Sequence, residues 1–70
     1  MADKTYKLVE IVGTSEKSFA QAAASGIKRA AKTLRNMDWF EVTQLRGRVS
    51  GGKVSQYQVT MKVGFRLDDE

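Results

Sequence analysis

Cysteine, histidine and proline are all missing from this chain, and tryptophan occurs once. Without cysteine there is neither a disulfide nor a thiolate nucleophile. Without histidine, triad chemistry is closed and a zinc site has no imidazole to build on. The carboxylates do not compensate, because they are scattered and no two are spaced as an acid–base couple. Val12-Gly13-Thr14-Ser15 precedes a helical pattern, but it lacks the second glycine and the lysine–hydroxyl ending of a phosphate-binding loop. It reads as a turn followed by a helix start, and neither a metal site nor an enzymatic activity is expected. The absence of proline, with six glycines and no low-complexity tract, argues against a linker or a disordered segment. No apolar run approaches the roughly 20 residues of a membrane span, and no charged-then-apolar opening suggests a secretory signal. A cytoplasmic location is therefore expected.

What is present is an ordinary globular composition, 41% hydrophobic and 29% charged in 70 residues. That length makes one domain spanning 1–70. Domains so small bury only about 60% of the unfolded chain's surface and are marginal alone. With disulfides and zinc excluded, association with further copies is the remaining source of stability. The net charge of +4 favours anionic partners such as phosphates, cofactors or nucleic acid, without choosing among them.

Along the chain, Thr5 to Val12 reads as a strand, with Leu8, Val9, Ile11 and Val12 supplying burial and Gly13 breaking it. Thr14-Ser15-Glu16 carries a hydroxyl cap and an early acid, so a helix is expected to start there and to run to about Asn36. Its apolar face is Phe19, Ala22, Ala23, Ile27, Ala30, Ala31, Leu34 and Met37. Lys28, Arg29, Lys32 and Arg35 crowd the carboxyl end of the helix dipole. A second strand from Trp39 to Val49, a Ser50-Gly51-Gly52-Lys53 turn and a third strand from Val54 to Leu67 complete the chain. Asp68-Asp69-Glu70 reads as an acidic, frayed end.

The fold class is thus α+β, in the order β-α-β-β. The helix returns the chain to its starting edge, so the third strand fits antiparallel between the other two, in the order 1-3-2, with the helix packed on one face. Tyr57, Val59, Met61, Val63, Phe65 and Leu67 share the face toward the helix; Gln56, Gln58, Thr60, Lys62, Gly64 and Arg66 share the other. In the second strand, Phe40 and Val42 are out of phase with Leu45 and Val49 by one residue. A β-bulge near Thr43-Gln44 would restore the phase and put all four on the helix side. Trp39, Glu41, Arg46 and Arg48 then face away, beside Gln58 and Arg66.

An indole, two arginines and a glutamine on an uncovered sheet face form a candidate binding surface. Taken singly, each has a plainer reading. On composition alone Trp39 fits somewhat better under a partner subunit in an oligomer interface than on a ligand, and a site between subunits would use it for both. The arginines serve as solvated strand cations, and the basic helix end as a solvated face. The glutamine amide both donates and accepts, as reading the edge of a heterocycle requires.

Val9-Glu10-Ile11-Val12-Gly13-Thr14-Ser15, Asp38-Trp39-Phe40-Glu41-Val42, Arg46-Gly47, Tyr57-Gln58-Val59 and Val63-Gly64-Phe65-Arg66-Leu67 together resemble a bacterial dodecin. The resemblance covers essentially the whole chain at matching spacing. It implies a β-α-β-β subunit assembling into a hollow dodecamer that holds flavins in stacked pairs between symmetry-related tryptophans. Carried over by residue, it implies that Trp39 stacks on the flavin, that Gln58 hydrogen-bonds the polar edge of the ring, and that Arg46 and Arg66 lie near it. The basic charge favours FMN over the neutral riboflavin, with FAD as a further alternative. Coenzyme A is implied as a second, outer ligand, with Lys7, Arg29, Lys32 and Thr33 as candidates. The acidic magnesium contacts of the halophilic branch do not carry over. The expected role is flavin storage with quenching of its photochemistry; a nucleic-acid-binding module using the basic helix and the open sheet is the alternative.

Overall fold

The computed structural model describes residues 3–68 and contains β1 (Tyr6–Ser15), α1 (Phe19–Ala30), β2 (Met37–Ser50) and β3 (Lys53–Arg66). The three strands form one sheet in the order β1-β3-β2, and both outer strands run antiparallel to β3. This is the expected β-α-β-β arrangement with its helix on one face.

The end of β1 and the start of α1 differ from those the sequence suggests, for one reason. Gly13 does not break β1 but pairs with Val59 inside it. It is buried, and a Cβ there would collide with the Ala22 carbonyl oxygen of the helix, while Gly26 offers no side chain in return. The glycine is a contact surface that lets helix and strand approach closely. β1 therefore continues to Ser15, whose hydroxyl accepts from the Lys17 amide at 2.9 Å and turns the chain. The helix cap is Ser18, extended at φ −167°, accepting from the Gln21 amide at 3.0 Å.

The helix stops at Ala30 rather than near Asn36, although its apolar spacing continues. Lys32 and Thr33 donate to carbonyls only three residues back, which tightens the chain out of the α form. Asn36 then adopts a left-handed conformation, φ 62°. Its amide donates to the Arg66 carbonyl at 3.3 Å and to an Asp68 carboxylate oxygen at 2.7 Å, while its own carbonyl accepts from the Arg66 amide. Arg35 pairs with the same Asp68 at 3.3 Å. Asp68 is thus anchored rather than frayed; Asp69 and Glu70 lie outside the described residues.

The bulge expected near Thr43-Gln44 is present: Val42 faces Met61, Gln44 faces Thr60, and Thr43 is the extra residue. A second irregularity leaves Ser55 unpaired between Arg48–Gln56 and Val49–Val54. At these two of the ladder's three register shifts (the third lies between Met37 and Trp39) the extra residue carries a hydroxyl that donates across the ladder at 3.2 Å, Thr43 to the Thr60 carbonyl and Ser55 to the Arg48 carbonyl. Gly51 and Gly52, at φ 60° and 75°, close the hairpin with the positive angles a tight two-residue turn demands.

The helix lies on β1 and β3 and scarcely reaches β2. Met61, Val59 and Ala22 are fully buried, with Ile11, Ala23, Ile27 and Tyr57 packed around them. Leu8 and Val12 do not join this core; they lie on the open face and are about half exposed. On the helix side of β2, Phe40, Val42, Leu45 and Val49 hold the expected orientation but are only partly covered, at 45–69% exposure.

Candidate ligand-binding site

Directly opposed residues of an antiparallel pair share a face. By that rule Trp39 (opposite Gly64), Arg46 (opposite Gln58) and Arg66 (opposite Tyr6) all stand on the face away from the helix. Alternation along β2 is what separates the neighbouring aromatics: Phe40 opposes Val63 on the helix side.

Sharing a face is not the same as meeting. Gln58 lies six positions from Gly64 along β3 (64 − 58 = 6), or roughly 20 Å at about 3.3 Å per residue. Trp39 and Arg66 therefore cluster at one end of the face, and Arg46 and Gln58 at the other. Gln58 directs its amide nitrogen to the Gln56 side-chain oxygen at 2.8 Å, and its own oxygen accepts no hydrogen bond among the described residues. Within one chain these four residues make two half-sites.

The Trp39 indole rests on the backbone of Gly64, where a Cβ would run into Cζ2, Cε2 and Cη2 of the ring. The Tyr6 ring meets it at 5.1 Å between centroids and 62° between planes, an edge-on contact. Trp39 keeps 43% of its surface exposed. Sequence reasoning passed over Tyr6 and gave Gly64 no role. The available signal was a glycine directly opposite the lone tryptophan, with an aromatic in phase on the far strand.

The candidates for a second ligand are partly assembled. Arg29 and Thr33 line a cleft of about 470 Å³ between β1 and the end of α1, together with Val9, Thr14, Ser25 and Gly26. Lys7 stands on the same face of β1 as Val9, two residues away. Lys32 is exposed and does not line the cleft. Among the described residues there is no group of three carboxylates placed to hold a metal ion.

A three-stranded sheet with one helix, a half-uncovered apolar side and an open face bearing two half-sites defines a small ligand-binding protein built to associate with copies of itself. Comparison with known proteins supplies the family. The Dodecin family model matches residues 5–68. A dodecin of Thermus thermophilus is 50% identical over 66 residues, covering 94% of this chain and 96% of the relative. The solved dodecin of Streptomyces davaonensis superposes with a TM-score of 0.94 at 51% identity, covering 97% of this chain and all of that one. A calcium dodecin of Mycobacterium tuberculosis is 33% identical over 63 residues, 89% of this chain and 87% of the relative. The chain belongs to the dodecin family, whose members are small, non-enzymatic, homo-oligomeric binding proteins.

Proposed function

We propose that this protein sequesters FMN as stacked pairs between the Trp39 indoles of symmetry-related subunits in a dodecameric shell, and that it quenches flavin photochemistry there. The observation that carries this reading is the one-sided indole. One side of the ring lies against Gly64 and the Tyr6 ring makes an edge-type contact with it, so each chain offers a flat ligand at most a single stacking surface. A sandwich then requires two chains, which an isologous two-fold contact supplies. The same contact offers a way to bring Gln58 and Arg46 of one chain toward the Trp39 end of another. Stacking an electron-rich indole on an electron-poor ring adds dispersion and charge-transfer attraction, and a close indole is an electron donor to photoexcited flavin.

Arg46 and Arg66 are the candidate phosphate partners, which makes FMN a better fit than riboflavin. Coenzyme A is the second ligand we propose, because its phosphates suit the cleft beside Arg29 and Thr33, with Lys7 two residues along β1 from Val9 on the same face. A nucleic-acid platform is less well supported, since single-strand binders present several free stacking rings. Here Tyr6 is already engaged with Trp39.

The test is titration of the assembled protein with FMN, reading flavin fluorescence together with native mass. Binding with strong quenching by an intact oligomer is expected, and Trp39→Ala should weaken it at least tenfold while far-UV circular dichroism stays unchanged. Protein that neither binds nor quenches FMN would sink the reading. Loss of assembly in Trp39→Ala with no change in flavin affinity would leave the tryptophan a purely structural interface residue.

A further inference from the structure

We infer that Tyr6 and Gly64 are positioning residues for the stacking site: between them they hold the Trp39 indole in one pose, with a single face presented to a flat ligand. The ligand half of this statement rests on the flavin reading above; the indole-fixing half does not. Adjacent strands stand about 4.8 Å apart, so β1 and β2, on either side of β3, are separated by roughly 9.6 Å. The two ring centroids are nevertheless 5.1 Å apart. The indole therefore reaches across the central strand at Gly64, which brings it to about one strand spacing from the tyrosine on β1.

Position 64 is what makes that meeting possible. Any Cβ there would occupy the space of the six-membered ring of the indole. With Gly64 beneath and the Tyr6 ring in edge-type contact, rotation of the indole about its two side-chain bonds is restricted by two neighbours. A stacking platform fixed before binding loses little freedom when the ligand arrives, whereas a freely rotating one must lose it then. Tyr6 has no competing role in the core, because its partner in the ladder is Arg66, on the face away from the helix.

The experiment compares Tyr6→Phe, Tyr6→Leu and Gly64→Ala in the full-length assembled protein. Trp39 is the only tryptophan, so its fluorescence anisotropy and near-UV dichroism report the pose without interference from another indole. Tyr6→Phe keeps the ring and is expected to match the unaltered protein in both signals and in FMN affinity. Tyr6→Leu keeps apolar bulk but no ring; anisotropy and near-UV dichroism should fall, and FMN affinity should drop about three- to tenfold. Gly64→Ala should lose more affinity, with native mass unchanged. If Tyr6→Leu keeps the wild-type anisotropy, or keeps the FMN affinity despite a mobile indole, the positioning role is overturned whatever Gly64→Ala does. If the unaltered protein binds no FMN, the flavin reading and the ligand half of this inference fail together. The ligand-free signals of the same variants then still decide whether Tyr6 and Gly64 fix the indole.

Discussion

Arg46 and Arg66 stand at opposite ends of one sheet face, and neither has a carboxylate partner within 4 Å among the described residues. A charged hydrogen bond to a phosphate contributes about 1.5–3 kcal/mol. At least one of Arg46→Ala and Arg66→Ala is therefore expected to weaken FMN about tenfold while leaving riboflavin unchanged, which parallel titrations would measure. Equal losses for both ligands in both variants would remove the phosphate from the account. At this scale the orientation of single residues was legible in the sequence. Period-two alternation alone sends Phe40 inward and Trp39 outward, and the phase slip between Val42 and Leu45 reveals the bulge. Distance was not legible: a common face is a matter of parity, whereas the roughly 20 Å between Trp39 and Gln58 follows only from strand register.

Among the elements, the contact between β1 and α1 is close enough to need glycine on both sides. Gly13→Ala would drive a methyl group into the Ala22 carbonyl. Overpacking of this kind costs typically about 1–3 kcal/mol, so a clear fall in the denaturation midpoint is expected. An unchanged midpoint would mean that the helix shifts freely on the sheet. The ends of α1 show why element boundaries resist sequence reading. Thr14-Ser15-Glu16 looks like a cap because local chemistry permits one, but pairing with β3 extends the strand through Ser15 and hands the cap to Ser18. At the other end, Ala31 and Leu34 continue the helical spacing. The chain leaves the helix because Asn36 must reach Arg66 and Asp68, thirty or more residues further along. Both outcomes depend on partners distant in sequence, which no local window contains.

For the whole molecule, the decisive fact is that a single helix covers two strands of a three-stranded sheet. Helix cover ends over β1 and β3, and Phe40, Val42, Leu45 and Val49 stand exposed on the same side. Burying one such side chain contributes about 1.5–3 kcal/mol, so several together are enough to drive association. Leu45→Asp is expected to abolish the oligomer in native mass measurements while the ordered β2–β3 pairing survives in far-UV dichroism. An oligomer unaffected by Leu45→Asp would place the subunit contact elsewhere. FMN binding should disappear with the oligomer, because each half-site then lacks its complement.

That exposed row also ties endurance to abundance. A fold that completes its hydrophobic interior with neighbours has no fixed melting point of its own; dilution lowers it and crowding copies together raises it. A sparsely made chain would persist as unfinished subunits exposed to proteases, and only above a threshold amount would it become a long-lived reservoir. Protection of the protein and capacity for its ligand would then switch on together, set by the same quantity of chain.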